Sequence, residues 1–383
     1  MQNLSNMSTS TSPSPSTSPI PIQSNIDKFK LTFDDINAKV RKGFTIDYVL
    51  DKEKSITNLV FKSITIKRHT INCSDDIFTL LGLLHNFFEL LENVIITGDF
   101  IANNCLLQSL PDIFGTIKIG GSLNLSYNCL TRLRDSFGDL EIGGDLLLQG
   151  NLIEILQEAF VHIQIGGDLN ISDNLLCELP KNIWTIKVGG SLNFTNNQIK
   201  TLPDSFDKLI LKGNLLLKRN NINTLPPTFS KINVKGDIDL SENKLYNLML
   251  TNLHIGGNLN ISNNNLIYLV LTYAKIGGSV ILCKNNLVEF SINNVQISGN
   301  LKITLNSLKQ ISLEKVHVRG SINFSENEIK KLSFKRVYVG HDLDLSYNEL
   351  KTLSSSFSNI KIGRNLFLRG NFLKFYVLLH LFH

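Results

Sequence analysis

The stretch GSLNLSYNCLTRLRDSFGDLEIG, from Gly121 to Gly143, decides the fold because the chain repeats its pattern about thirteen times. Successive repeats begin at a Gly and are spaced 21 or 23 residues apart. A fixed period of this length is typical of a solenoid, in which similar units stack as coils. The coils begin at residues 98, 121, 144, 167, 190, 213, 236, 257, 278, 299, 320, 341 and 364, with His341 and Arg364 in place of the last two glycines.

Two apolar positions predict a short strand in every coil. We count positions from the Gly, which is position 0, so Leu123 and Leu125 are positions +2 and +4 of their coil. Apolar residues that alternate in this way are typical of a strand with one buried side. The outward positions +1, +3 and +5 then form one surface of the solenoid, which we call the concave face.

An Asn stands at position +7 of twelve coils, where the chain must turn out of the strand. A side-chain amide both donates and accepts, so it can satisfy backbone groups that a buried turn leaves unpaired. We predict a ladder of stacked Asn side chains, in which losing one rung costs on the order of 1–3 kcal/mol. Cys105 fills the position in the first coil, and the predicted rungs are Asn128, Asn151, Asn174, Asn197, Asn220, Asn243, Asn264, Asn285, Asn306, Asn327, Asn348 and Asn371.

The second half of the coil has two forms. The 23-residue form contains Leu-Pro-x-x-Phe, as from Leu202 to Phe206, where Pro opens a tight turn and Phe fills the core. The 21-residue form alternates apolar and polar residues instead, as around Leu248 and Leu250, which favours a strand. The prediction is a β-rich, right-handed solenoid that is nearly free of helix and has a second sheet over the 21-residue coils.

These motifs resemble leucine-rich repeats. The run G-G-x-L-x-L-x-x-N-x-L is similar to the leucine-rich pattern L-x-x-L-x-L-x-x-N-x-L, with Gly at the first Leu position. The variant I-G-G-D-L-x-L-S-x-N-x-L is similar to the leucine-rich-repeat proteins of giant DNA viruses of amoebae. The resemblance covers residues 98–383 and implies a non-enzymatic scaffold that binds a host or viral protein on its concave face.

The N-terminal quarter lacks the repeat and divides into two predicted parts. Residues 1–25 are rich in Ser, Thr and Pro, which predicts a disordered tail. Residues 26–97 predict a capping segment for the first coil, with one helix at about 75–91 that follows Ser74. The alternative for this segment is an F-box-like adaptor of a ubiquitin ligase, although the usual Leu-Pro opening and later Trp are missing.

Composition restricts the partners and the compartment. The net charge of +5 is spread over 38 basic and 33 acidic residues, and no single column of the repeat is basic, so we expect no nucleic-acid partner. No run reaches the roughly 20 apolar residues of a membrane span, and the N-terminus has no apolar signal core. Cys73 precedes the repeat and the other four Cys fall at different positions of it, which favours neither disulfides nor a Zn site. We therefore expect an intracellular, unsecreted protein in the cytoplasm of the host cell.

The sequence contains no catalytic constellation. It has neither a phosphate-binding G-x-x-x-x-G-K-[ST] loop nor a G-x-S-x-G nucleophile elbow. His162, His254 and His317 lie in separate coils, which is typical of outward strand residues and not of metal ligands. Asp, Ser or Asn follows the Gly, as at Asp99 and Asp145, and this mixture suits turn hydrogen bonding better than acid–base catalysis. We expect no enzyme activity, no cofactor and no metal.

Candidate partner-binding residues lie on or beside the concave face. Most coils have Asn or Asp at position +3, but Leu147, Leu216 and Ile281 are apolar there and are predicted to be exposed anchors for a partner. Tyr127 and Tyr347, at position +6 in the adjoining loop, are further candidates. A third hypothesis is self-association through the C-terminal coil, which is followed by the apolar stretch from residue 375 to 383.

Overall fold

The structure is a computed structural model that shows thirteen stacked coils behind a small α/β unit. Its strand order confirms the predicted β-rich solenoid. The C-terminal stretch 375–383 and most of the predicted tail, residues 1–21, lie outside the described residues, which are 22–40, 44–50, 60–68, 77–204 and 206–373.

The N-terminal unit extends the sheet of the first coil. The unit consists of helix α1 (Ile22–Val40), an antiparallel hairpin of β1 (Phe44–Leu50) and β2 (Val60–Arg68), and helix α2 (Ile77–Glu89). Strand β2 also pairs in parallel with the first two short strands of the solenoid. Strand β2 thus pairs with the first coil through backbone hydrogen bonds. The buried apolar residues of the unit and of the coils form one continuous core.

Only the second helix of this unit was predicted from the sequence. Helix α1 begins at Ile22, within the residues that the sequence assigned to the tail. The overlooked signal is the spacing of Ile26, Phe29, Phe33 and Ile36, which recur every three or four residues as on one side of a helix. Phe33 is buried, and its ring meets that of Phe87 in α2 at a centroid distance of 5.9 Å.

One short strand of each coil contributes to the concave face. Its first residue, at position +2, is buried in every coil but the last, and its second residue, at position +3, points outward. Each strand pairs in parallel with its counterparts in the neighbouring coils. The strands are β4 (Phe100–Ile101), β6 (Leu123–Asn124), β8 (Leu146–Leu147), β10 (Leu169–Asn170), β12 (Leu192–Asn193), β14 (Leu215–Leu216), β16 (Ile238–Asp239), β19 (Leu259–Asn260), β22 (Val280–Ile281), β24 (Leu301–Lys302), β26 (Ile322–Asn323), β28 (Leu343–Asp344) and β30 (Leu366–Phe367).

A second strand precedes the Gly of each coil. We call the surface formed by its outward positions −5, −3 and −1 the flank. Within the described chain, neighbouring flank strands pair in parallel everywhere except between Lys187–Val188 and Ile210–Leu211. The strands that belong only to the flank are β3 (Ile95–Ile96), β5 (Lys118–Ile119), β7 (Glu141–Ile142), β9 (Gln164–Ile165), β11 (Lys187–Val188), β13 (Ile210–Leu211), β15 (Asn233–Val234), β18 (His254–Ile255), β21 (Lys275–Ile276) and β29 (Ile360–Ile362).

The 23-residue coils close with short 3-10 turns opposite the concave face. Buried Phe side chains from these turns stack from coil to coil, with centroids 6.2 Å apart between Phe114 and Phe137 and between Phe206 and Phe229. Ile183 takes the Phe position in one coil and interrupts the stack. The turns are Asp112–Thr116, Asp135–Asp139, Glu158–His162, Ile183–Thr185, Phe206–Lys208, Pro227–Lys231 and Ser355–Asn359.

The 21-residue coils form the predicted second sheet instead of 3-10 turns. Serine hydroxyls from the adjacent 23-residue coils form hydrogen bonds with the backbone of its two edge strands. Ser230 Oγ accepts from the Thr251 N–H at 3.3 Å, and Ser354 Oγ donates to the Leu332 carbonyl at 2.8 Å. The five strands are β17 (Asn247–Thr251), β20 (Tyr268–Thr272), β23 (Glu289–Ile297), β25 (Gln310–Val318) and β27 (Lys331–Val339), of which the last three continue into the flank.

Candidate functional site

The Asn at position +7 bonds the backbone of its own coil and of the coil before it. Asn220 Oδ1 accepts from the Ile199 N–H at 3.0 Å. Asn220 Nδ2 donates to the Phe194 carbonyl of the previous coil at 2.9 Å and to the Leu217 carbonyl of its own coil at 3.0 Å. Equivalent bonds recur from the first rung to the last. Water cannot replace these bonds because most of the rungs are buried.

Neighbouring rungs share acceptors. The Phe194 carbonyl accepts from Asn197 of its own coil at 3.1 Å and from Asn220 of the next coil at 2.9 Å. By contrast, the Ile199 N–H has Asn220 Oδ1 as its acceptor and no other among the described residues. Removing one rung therefore orphans one buried donor, whereas removing two adjacent rungs also orphans a carbonyl.

A second ladder, which the sequence analysis did not predict, runs along position +1. The side-chain oxygen of each residue accepts from the backbone N–H at position +1 of the next coil. Asp99 Oδ1 accepts from Ser122 N at 2.7 Å, and Ser122 Oγ accepts from Asp145 N at 3.0 Å. The series continues without a gap to Asn365. The signal lay in the sequence, because every coil has Asp, Ser or Asn at this position.

Polar residues at position +3 of the concave face are fixed by the residue two places further on. Asn124 Oδ1, for example, accepts from the Ser126 N–H at 3.1 Å. This bond occurs wherever Asn or Asp at +3 is followed by Ser or Thr at +5. The pairs are Asn124–Ser126, Asn170–Ser172, Asn193–Thr195, Asp239–Ser241, Asn260–Ser262, Asn323–Ser325 and Asp344–Ser346.

The apolar candidates interrupt this polar pattern. Leu147, Leu216 and Ile281 occupy position +3, but they are half-buried and not exposed as expected. The reason is that parallel neighbours on both sides cover each side chain, as Asn124 and Asn170 flank Leu147. The three residues are three coils apart, which corresponds to about 14 Å between successive anchors.

The loop tyrosines are the more exposed candidates. Tyr127 and Tyr347 are 58% and 50% exposed and have left-handed backbones, with φ of 54° and 55°. Each ring lies against a Gly at the same position of the next coil, Gly150 or Gly370, where a Cβ would overlap the ring. The Arg369 guanidinium also lies 5.7 Å from the Tyr347 ring centroid. Two Tyr–Gly pairs thus present flat aromatic surfaces beside the concave face.

Glycines line most of position −1 on the flank, and lysines replace two of them. A Cβ at Gly143 or Gly166 would overlap a carbonyl oxygen of the preceding coil. At Lys212 the ladder is broken, because β11 and β13 do not pair. Within the described chain, Lys212 N donates no bond like that from Gly143 N to Ile119 O, which is 2.8 Å. This lysine therefore stands where the stacking favours Gly.

The flank gathers cations that the sequence distributes over several columns. Positions −5, −3 and −1 alternate along a strand and face the same side, and from residue 185 onward none of them is Asp or Glu. Each of these positions alone has a mixed composition, so a count of single positions in the sequence does not show their combined charge. The basic flank comprises ten exposed cations that form no ion pair with any described residue: Lys187, Lys208, Lys212, Lys231, Lys235, Lys275, Lys315, Arg319, Arg336 and Lys361.

Two stretches of the flank form shallow grooves. The first, about 610 Å³, crosses the N-terminal coils and contains the ion pair between Lys118 and Glu141, with 3.8 Å between Nζ and Oε2. The second, about 520 Å³, is lined by cationic and neutral residues alone, including Lys231, Lys235 and Lys275. The two grooves therefore differ in charge, and the second is positive.

The described residues contain few features of a chemical site. No three His, Cys, Asp or Glu side chains among them could hold a metal ion together, and His162, His254 and His317 are exposed on the flank. Burial raises the pKa of the Cys105 thiol to about 11, which keeps it protonated. Neither described helix combines the length and apolar character needed to cross a bilayer.

No protein-family model matches the chain, and no curated protein matches it. Its neighbours among solved structures are leucine-rich-repeat proteins. A leucine-rich-repeat protein of Leptospira interrogans is 19% identical over 78% of this chain and 89% of its own, with a TM-score of 0.42. YopM of Yersinia pestis, a leucine-rich effector, is 19% identical over 71% and 77%, with a TM-score of 0.37. The leucine-rich-repeat domain of APL1 is 17% identical over 85% and 83%, with a TM-score of 0.45.

Proposed function

We propose that the protein is a non-enzymatic scaffold that binds a protein partner on its concave face. The observation that carries the proposal is the regular placement of Leu147, Leu216 and Ile281 on a rigid polar surface. Hydrogen bonds between positions +3 and +5 fix the polar coils between them, so little conformational entropy is lost on binding. Apolar anchors within a fixed polar surround are typical of protein interfaces.

The test is a binding experiment in cell lysate with a concave variant, Leu147→Asp, Leu216→Asp and Ile281→Asp. The variant should fold, because Asp239 and Asp344 are the native residues at this position of two coils. We expect partners that the native chain captures to be lost, because three charges replace the apolar anchors. The readout is mass spectrometry of the captured proteins.

The matched control carries the same added charge on the second sheet, as Ser291→Asp, Ser312→Asp and Ser333→Asp. These serines are exposed side by side on β23, β25 and β27. The control should keep the partners that the concave variant loses. Partners retained by the concave variant, or lost equally from both variants, would contradict the proposal.

The setting and the alternatives belong to the same proposal. We place the partner, of host or viral origin, inside the cell, and the absence of disulfides among Cys105, Cys129, Cys177 and Cys283 supports this placement. The F-box-like alternative is less well supported, because β2 is engaged in pairing with the first coil. It predicts that residues 26–97 alone bind a ligase subunit in the same assay.

Self-association is a second candidate, which one observation favours. The residues of the last two described coils that continue the core, such as Leu353, Phe357 and Leu366, are only partly buried, whereas most of their counterparts in inner coils are buried. A second copy that stacks on this coil would cover them. Sedimentation velocity over a range of concentrations should then show dimers that disappear when residues 375–383 are removed, and a concentration-independent monomer would exclude this candidate.

A further inference from the structure

We propose that the basic flank is a binding site for single-stranded nucleic acid. The site is distinct from the concave face and does not depend on the proposed protein partner. It consists of the ten cations defined above, the groove of about 520 Å³ between them, and exposed aromatic rings on the same surface.

The distribution of charge over the basic flank supports the proposal. The whole chain carries a net charge of +5, yet the flank from Lys187 to Lys361 carries ten cations and no acid. Asp237 and Asp342 are engaged in the ladder at position +1, and Glu314 is paired with Lys335 at 2.8 Å and attracts only Lys315 and Arg336 of the flank. The other flank cations form no ion pair with a described residue and are available to an anion from outside the chain.

Several of these cations stand where another residue suits the backbone better. Lys212 coincides with the one break in the flank ladder. Lys315 and Arg336 have left-handed backbones, with φ of 52° and 56°, at a position that Asn252 and Asn294 occupy in other coils. Asn tolerates this conformation better than Lys or Arg. A binding role explains why basic residues occupy these positions.

The shape of the basic flank also supports a single-stranded partner. The cations extend over eight coil steps, which is about 40 Å at strand spacing, and the three outward positions make the strip narrow. A narrow strip with a recess suits one chain of phosphates, whereas a bilayer needs a broad contact. Tyr273 and Tyr338 lie on the same strip, 57% and 40% exposed, and the Tyr338 ring already stacks on His317 at 4.5 Å. Bases of a single strand can stack on such rings.

The test measures fluorescence anisotropy of an end-labelled oligothymidylate of about 16 nucleotides, which is unstructured and matches the size of single-strand sites. We expect the native chain to bind it, with the affinity falling on the order of 10³-fold between about 50 and 200 mM salt. The flank variant carries Lys212→Gln, Lys231→Gln, Lys235→Gln and Lys275→Gln. It should bind about 10-fold more weakly or worse, and its log–log salt slope should be shallower by about 3.

The matched control removes the same charge from another surface, as Lys200→Gln, Lys244→Gln, Lys309→Gln and Lys351→Gln. These lysines are exposed at positions +8 and +10 of their coils, away from the flank. The control should stay within about 2-fold of the native chain at moderate salt. Equal weakening of both variants would show that only net charge matters and would overturn the site. Circular dichroism and the fluorescence of Trp184 verify folding.

A second measurement separates a single strand from other polyanions. Tyr273→Ala with Tyr338→Ala should weaken oligothymidylate binding about 10-fold and leave duplex binding of the same length unchanged, because stacking needs unpaired bases. Preference for duplex, or equal loss with both probes, would overturn the single-strand assignment. Cosedimentation with vesicles of phosphatidylserine and phosphatidylcholine in the absence of oligonucleotide binding would assign the flank to membranes and overturn the proposal.

Discussion

The sharing of carbonyls between neighbouring Asn rungs makes a quantitative prediction about stability. We consider the single variants Asn197→Ala and Asn220→Ala and the double variant that combines them. Each single variant removes four side-chain hydrogen bonds but leaves the Phe194 carbonyl with one partner, because the other rung still donates to it. In the double variant that carbonyl, which belongs to a fully buried residue, loses both donors.

The expected magnitudes follow from these contacts. Asn220→Ala orphans the Ile199 N–H and removes bonds from carbonyls that keep another donor, so we expect the free energy of unfolding to fall by about 2–4 kcal/mol. The double variant should lose about 1–3 kcal/mol more than the two single losses together, because one further buried acceptor is orphaned. The control pair, Asn197→Ala with Asn264→Ala, spans three coils, shares no carbonyl, and should be additive.

Urea unfolding gives the four free energies of this comparison. Circular dichroism reports the whole solenoid, and Trp184, the single Trp of the chain, reports the coil just before Asn197. The two signals should agree if the coils unfold together. An adjacent double variant whose loss equals the sum of the single losses within about 0.5 kcal/mol would refute the idea that shared acceptors couple the rungs.

Three further predictions test other parts of the structure. Gly143→Ala should destabilise the protein by about 1–3 kcal/mol because the added Cβ meets the Gly120 carbonyl, whereas Gly82→Ala, in open space on α2, should stabilise it by up to about 1 kcal/mol. Thermal unfolding compares the two variants, and equal effects on stability would contradict the close packing at Gly143. Hydrogen bonds from Lys218 and Arg219 lower the pKa of Glu242, so the pairing is present at neutral pH and is lost as the pH falls through that pKa. NMR titration of the carboxyl group should show a higher pKa in the double variant Lys218→Met, Arg219→Met, and an unchanged pKa would exclude this cause. Burial raises the pKa of Cys105 to about 11, so this thiol should resist alkylation at about pH 8 until the chain unfolds. Modification of Cys105 in the folded protein at the same rate as half-buried Cys129 would instead show that the first coil opens.

The sequence predicted those parts of the fold that depend on one repeated position. The period, the strand at positions +2 and +4, and the second sheet all follow from apolar alternation that recurs in each coil. The ladder at position +1 was missed because Asp, Ser and Asn are different residue types. Only the stacking of the coils shows that each of them places a side-chain oxygen where it accepts from the backbone N–H of the next coil. Helix α1 was missed because its apolar spacing lies in a mostly polar stretch next to the tail.

The candidate sites were harder to predict because they depend on contacts between columns. Leu147 occupies the outward position that Asn124 and Asn170 hold in the neighbouring coils, and only the strand pairing shows that it is half-buried between them. The basic flank was invisible to a column-by-column count, because Lys231, Lys235 and Lys275 belong to three different positions of the repeat. Only the strand geometry places them on one surface.

The spacing of the stacked Phe rings has a consequence for the curvature of the molecule. Coils of the 23-residue form are 6.2 Å apart at the Phe114 and Phe137 rings but about 4.8 Å apart along their parallel strands, so each coil is a wedge. If the two sides are about 10 Å apart, the wedge angle is on the order of 10° per coil. Coils of the 21-residue form have parallel strands on both sides, so the same reasoning predicts a straighter stack there. Coil length is thus expected to set the local bend, and gain or loss of one coil of either kind would change the arc of the concave face.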